Sequence, residues 1–190
     1  MNNLVSASLY IYYHLLALEH YQDYVKANKD FNEISSNNQS FDFLSHSKDE
    51  IHKYISSWNE KQKNGIICII LEAMAMEAYI NYFIVEKYGF TIFNNKYKDK
   101  SIWYKYKTVI KNETGKNFSE YKEAYKQFSI LVNIRNSMVH SKTEVIDIYN
   151  DDQQEFIDKM SGLFGGVQNN IFNSIDDLIK TFDLMSNILT

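Results

Sequence analysis

Residues 66–85 read IICIILEAMAMEAYINYFIV, and this run sets the class of fold to expect. It is long and apolar enough for a membrane span, but Glu72, Glu77 and Asn81 interrupt it. Each carboxylate would cost about 2.5 kcal/mol or more near the centre of a bilayer. We therefore expect a buried central helix and no contact with a membrane.

The composition of the whole chain also favours helices. Proline is absent and glycine occurs only six times in 190 residues, so little interrupts long helices or supports tight turns. Apolar residues make up 45% and the formal net charge is −4, a balance typical of a compact chain. We predict an all-α helical bundle of four main helices plus one or two short accessory helices, folded as a single domain over residues 1–190.

Hydrophobic periodicity and capping residues place the elements along the chain. Ser47 and Glu50 have the spacing of a capping box, which predicts a helix start. An Asn/Ser-rich segment at 28–46 predicts a flexible loop, and 89–101 predicts a Lys-rich connection. The predicted helices cover about 4–26, 47–58, 64–88, 102–111, 119–139, 151–163 and 167–189. The apolar seam of the last helix is Ile171, Ile175, Leu178, Phe182, Met185 and Leu189.

The cysteine and histidine content indicates the compartment and argues against a metal site. The single Cys68 cannot form an intrachain disulfide, and the first twenty residues lack the pattern of a signal peptide. The expected location is the cytoplasm, with Cys68 an inert core thiol. Neither a metal nor another cofactor is expected, because four histidines lack ligand spacing: His14, His20, His46 and His52.

Nineteen lysines accompany a single arginine, Arg135, which stands five residues before His140 in the segment IRNSMVH, residues 134–140. A guanidinium grips phosphate or carboxylate at two points and stays charged when desolvated, unlike an ammonium. Arg135 falls within the apolar stripe of its helix, so it must be paired, hydrated or aimed at a cavity. His140, where the apolar periodicity ends, can exchange protons near neutral pH.

Three interpretations of these residues remain open. In the first, Arg135 pairs with Glu77, which is one turn from Asn81, and fixes how two helices pack. In the second, Arg135 and His140 act on one ligand. They lie about 140° apart on a regular helix, so a loosened helix or a second subunit would be needed. In the third, a small-molecule enzyme uses Glu77 as a base in a closed pocket.

Basic and acidic residues are unevenly distributed. Residues 96–126 hold nine lysines against four acids, whereas residues 143–190 hold nine acids against two lysines. The lysines from 96 to 111 are interleaved with aromatic residues, which suits single-stranded RNA, although a solvated helix face would look the same. Lys105, Lys107 and Lys142 are the predicted substrate-binding cations.

A resemblance to a known family gives the arginine a specific role. Arg135, the polar Asn136 directly after it and His140 after four intervening positions resemble the signature motif of the HEPN superfamily (higher eukaryotes and prokaryotes nucleotide-binding domain). The apolar helix around residues 71–81 is similar to a central helix of many bacterial members. The resemblance spans roughly residues 64–142 and, more loosely, the whole helical layout.

The resemblance implies a metal-independent endoribonuclease of a toxin–antitoxin or phage-defence system, acting as a homodimer whose two motifs meet across the interface. Arg135 would hold the scissile phosphate, His140 would transfer a proton during 2′-hydroxyl attack, and Asn136 would orient the phosphate or the imidazole. RNA and an antitoxin protein are the expected partners. The rival function is a noncatalytic helical module that binds a nucleotide, RNA or protein, with Arg135 locked to Glu77.

Overall fold

The computed structural model describes residues 3–36, 47–140 and 175–190. Within these ranges the regular structure is helical and contains no strand, which confirms the all-α prediction. The order is α1 (Asn3–Ser36), α2 (Lys48–Tyr88), α3 (Phe90–Ile92), a π-helical turn (Phe93–Tyr97), α4 (Ile102–Thr114), a 3₁₀ turn (Phe118–Glu120), α5 (Lys122–His140), α6 (Ile175–Leu178) and α7 (Thr181–Leu189).

Contacts divide the chain into two compact units, Met1–Lys105 and Tyr106–Thr190, with the boundary inside α4. The single-domain organisation stays a prediction. In the first unit, α1 and α2 form an antiparallel hairpin, because the residues that meet across it run in opposite order. His14 meets Glu72, and Phe31 meets Tyr54. The most buried apolar side chains of this unit are small or aliphatic: Ala17, Cys68, Ile69, Ala75, Met76, Ile80 and Ile84.

α2 is one continuous helix where the sequence predicted two. It begins with the predicted capping box, in which the Ser47 N–H donates to Glu50 Oε2 at 2.9 Å and the Glu50 N–H donates to Ser47 Oγ at 3.4 Å. A glycine in a helix costs about 1 kcal/mol relative to alanine, and the buried Gly65 does not interrupt α2. Among the described helices, α2 is long and apolar enough to cross a membrane, a test that buried core helices also pass.

The predicted loop at 28–46 is wrong over residues 28–36, which continue α1. The end of α1 has a surface to pack on, since Phe31 lies against Tyr54 with ring centroids 5.1 Å apart and Ala27 is buried. Packing therefore overrides the low helix propensity of Asn and Ser. Residues 37–46 lie outside the described residues. The predicted connection at 89–101 contains α3 and the π-helical turn.

The second unit has an aromatic core. Phe128, which is fully buried, packs edge-to-face against Tyr106 and Phe118, with centroid distances of 4.9 and 5.4 Å. On α5, Val132 is also buried, whereas Tyr125 is exposed. α5 contacts α6 and α7, where five residues of the predicted seam are buried: Ile175, Leu178, Phe182, Met185 and Leu189. Ile171 and the predicted helix at 151–163 lie outside the described residues.

Candidate functional site

Arg135 and Asn136 lie near the end of α5, which continues as a helix to His140. Both side chains are half-buried, and Arg135 Nη1 donates a hydrogen bond to Asn136 Oδ1 at 3.1 Å. Consecutive positions on a helix point about 100° apart. The guanidinium must therefore turn around the helix axis, towards position 136, to make this bond.

Position 136 shares a helix face with position 140, because residues four apart lie one above the other. The bond to Asn136 therefore brings the positive charge of Arg135 towards the face of position 140, although the two backbone positions are about 140° apart. The His140 side chain lies outside the described side chains, and Lys142 lies outside the described residues.

The predicted supporting residues on α2 have different surroundings. Glu77 is exposed, and the carboxylate buried in this helix belongs to Glu72. The exposure of Glu77 disagrees with the interpretation that it is a base in a closed pocket, whereas its pairing with Arg135 stays a prediction. Asn81 is half-buried, and its Oδ1 accepts a hydrogen bond from Lys105.

Lys105, predicted to bind substrate, is only 3% exposed. Its Nζ donates to Asn81 Oδ1 at 2.8 Å and lies 5.6 Å from the centroid of the Phe93 ring. Burial lowers the pKa of this ammonium, while Glu77 and Asp99 act in the opposite direction. These contacts join α2, the π-helical turn and α4, so Lys105 has a structural position and does not present its ammonium to a substrate. Lys107, in contrast, is exposed.

Exposed basic and aromatic residues precede Lys105 along the chain in the first unit. The rings of Tyr88 and Tyr97 stack with centroids 6.3 Å apart, and Tyr97 is 6.4 Å from Tyr104. Tyr97 is buried but Tyr104 is 46% exposed, and the Lys100 ammonium lies 5.7 Å from its ring centroid. The tyrosine–lysine surface is defined here as four exposed residues: Tyr104, Lys96, Lys98 and Lys100.

Sequence reasoning missed two polar pairs inside the α1–α2 hairpin. The His14 Nδ1–H donates to Glu72 Oε2 at 2.8 Å, and the His20 Nδ1–H donates to Asn64 Oδ1 at 3.0 Å. Both partners on α2 are buried. The available signal was that Glu72 interrupts an apolar run and needs a partner. What was missing was the register of α1 against α2.

A polar groove of about 400 Å³ opens beside the second of these pairs. Its lining includes His20 and Asn64 together with charged residues of both signs: Asp23, Lys26, Asp30, Glu60 and Lys63. Lys63 Nζ donates to both carboxylate oxygens of Glu60, at 3.1 and 2.9 Å. The groove therefore presents a nearly balanced set of charges.

Cys68 is buried in α2, and burial with the nearby Glu72 carboxylate raises the pKa of its thiol to about 12. A thiol with this pKa is protonated at neutral pH and is a poor nucleophile, in accord with an inert core residue. Within 3–36, 47–140 and 175–190, no group of three or more His, Cys, Asp or Glu side chains is arranged to hold a metal ion.

No protein-family model matches this chain, and neither the curated proteins nor the solved structures contain a match to it.

Proposed function

We propose that the chain is a metal-independent endoribonuclease of the toxin–antitoxin or phage-defence type, acting in the cytoplasm as a homodimer. The observation that carries the proposal is the 3.1 Å hydrogen bond from Arg135 Nη1 to Asn136 Oδ1. It directs the one guanidinium of the chain towards the helix face of position 140. The resemblance of Arg135, Asn136 and His140 to the HEPN motif gives these residues their roles.

In this mechanism, Arg135 binds the non-bridging oxygens of the scissile phosphate and stabilises the charge of the pentacovalent transition state. Asn136 fixes the plane of the guanidinium, which a two-point phosphate contact requires. The RNA 2′-oxygen attacks phosphorus and loses its proton, while the bond to the 5′-oxygen breaks and that oxygen gains a proton. A homodimer supplies two His140 residues, one for each proton transfer. The products are a 2′,3′-cyclic phosphate and a 5′-hydroxyl.

The alternative is a noncatalytic helical module that binds a nucleotide, RNA or protein, with Arg135 as a structural partner of Glu77. Glu77 is exposed, and ion pairs of exposed carboxylates typically stabilise a protein by only about 0–1 kcal/mol. An ion pair with a solvated carboxylate is therefore a weak explanation for an arginine at position 135 in a chain rich in lysine. RNA as substrate and an antitoxin protein as inhibitor are the partners that accompany the enzymatic proposal.

The test is cleavage of a cellular RNA pool by the purified full chain in excess EDTA. Arg135→Lys and His140→Ala are compared with the parent, and Lys126→Ala, which removes an exposed charge from the same helix, is the matched control. We expect the parent and the control to leave 2′,3′-cyclic phosphate ends. Both site variants should be slower by about 100-fold or more while keeping the circular dichroism spectrum of the parent.

Equal activity of the parent and both site variants would contradict the proposal. So would a folded parent that leaves RNA intact. If, in addition, Arg135→Lys lowers the melting temperature more than Lys126→Ala does, Arg135 has the structural role that the noncatalytic alternative assigns to it.

A further inference from the structure

The tyrosine–lysine surface combines an exposed aromatic ring with three exposed ammonium groups. Tyr104 is 46% exposed although it belongs to a helix whose next two residues, Lys105 and Tyr106, are buried. The Lys100 ammonium lies 5.7 Å from the centroid of the Tyr104 ring. Lys96 belongs to the π-helical turn, and Lys98 directly follows that turn. Asp99 is the one acid between 96 and 107, against five lysines in that range.

The support beneath this surface is fixed by buried contacts. Tyr97, next to Tyr104, is buried and stacks on Tyr88 with an interplanar angle of 10°. Lys105, which follows Tyr104, ties α4 to Asn81 of α2 and to Phe93 of the π-helical turn. The Tyr104 ring is thus presented from a preorganised frame, which lowers the entropy lost when a flat ligand packs on it.

We propose that the tyrosine–lysine surface binds single-stranded nucleic acid, with one base stacked on Tyr104 and the adjacent phosphates neutralised by Lys96, Lys98 and Lys100. Unpaired bases stack on exposed aromatic rings in a manner that tolerates any sequence, and lysines beside the ring follow the backbone. That the natural ligand is RNA and not DNA rests on the proposed function. The proposed stacking and charge complementarity involve only residues of the first unit.

An anionic membrane is the competing partner for a basic surface with exposed apolar residues. Membrane binding would use Phe90 and Ile92 of α3, which are 65% and 40% exposed, as the inserted side chains. The structure favours nucleic acid because the exposed Tyr104 ring has the Lys100 ammonium 5.7 Å from its centroid. A stacked base and its phosphate use both groups together, whereas insertion into lipid needs neither the ring face nor this contact.

The experiment measures binding of a fluorescent 12-nucleotide 2′-O-methyl oligouridine by anisotropy over 20–200 mM NaCl. This probe lacks the 2′-hydroxyl that the proposed cleavage requires, so binding is separated from chemistry. We expect the Kd of Tyr104→Ala to rise by about fivefold or more. Tyr12→Ala removes a similarly exposed tyrosine from α1 and should bind like the parent. Lys100→Ala should make the slope of log Kd against log salt shallower by about 0.7.

Three outcomes would overturn the inference: no binding by the parent at 20 mM NaCl, binding without salt dependence, or equal affinity for parent and Tyr104→Ala. Binding to vesicles of phosphatidylserine that needs Phe90 and not Tyr104 would assign the surface to a membrane instead. The proposed function is tested separately by His140→Ala, which should cleave RNA more slowly than the parent by about 100-fold or more. Binding that depends on Tyr104 in a chain that never cleaves RNA keeps this inference and refutes the nuclease.

Discussion

Replacing Asn81 by leucine removes the hydrogen-bond acceptor of a buried ammonium, and we expect it to destabilise the first unit by about 2–3 kcal/mol. Lys105 is 3% exposed, and its Nζ donates to Asn81 Oδ1 at 2.8 Å. A hydrogen bond to a charged group contributes about 1.5–3 kcal/mol, and breaking a buried ion pair costs about 3–5 kcal/mol. The lower of these two ranges applies here, since Lys105 keeps its contact with the Phe93 ring and Asn81 is only half-buried.

Replacing Lys105 by methionine should rescue this loss. Methionine has a similar length and no charge, so the variant loses the hydrogen bond and a cation–π contact of about 2 kcal/mol. It also loses the desolvation cost of a buried ammonium, which is several kcal/mol. We expect Lys105→Met alone to lie within about 1 kcal/mol of the parent. The double variant should be more stable than Asn81→Leu by about 2 kcal/mol, a coupling well above the additivity error of distant sites.

The assay is urea unfolding followed by far-ultraviolet circular dichroism, at pH 7 and then up to pH 10.5. Burial lowers the pKa of Lys105 from its ordinary 10.5, so the unfolded chain binds this proton more tightly than the folded one. The free energy of unfolding of the parent should therefore increase relative to that of Lys105→Met as the pH rises from the pKa of Lys105 in the folded chain towards 10.5. This increase should be lost as the pH falls again through that folded-state pKa. A double variant no more stable than Asn81→Leu would refute the reasoning.

One labelling reaction and two pairs of substitutions test the packing and the start of α2. Cys68, with a pKa of about 12, should react with a thiol reagent at pH 8 only as urea unfolds the chain, and fast labelling of the native protein would contradict its burial. Ser47→Ala should cost about 1 kcal/mol by removing the helix cap, whereas Ser56→Ala, exposed inside the same helix, should be neutral or slightly stabilising. Phe128→Ala should cost about 3–5 kcal/mol, against about 1.5 kcal/mol or less for the exposed Tyr125→Ala; similar losses for the two would mean that the aromatic core is misassigned. Urea unfolding measures both pairs.

The type of element was predictable from the sequence because periodicity and the lack of proline report local geometry. The capping box at Ser47 was also predictable, since both partners are within four residues. The bounds of α1 were not, because residues 28–36 have weak helix propensity and become helical where Phe31 meets Tyr54. That contact joins residues 23 positions apart, and single-residue propensities do not contain it.

The sequence could only partly predict which lysines are exposed. Lys105 lies four residues before Val109 and directly before Tyr106, so it falls on the buried phase of α4. Lys107, two residues on, points to another side of the helix and is exposed. The sequence could therefore have separated the two cations. It could not have supplied Asn81 as the partner of Lys105, because that residue lies on another helix.

Three polar residues that interrupt apolar helix faces make hydrogen bonds to a neighbouring helix. Glu72 bonds to His14 of α1, Asn64 bonds to His20 of α1, and Lys105 bonds to Asn81 of α2. Arg135 also interrupts the apolar stripe of its helix, and its guanidinium donates a hydrogen bond to Asn136 of the same helix. The RNA-cleavage experiment with Arg135→Lys examines whether the guanidinium that Asn136 orients acts on a ligand at the end of α5.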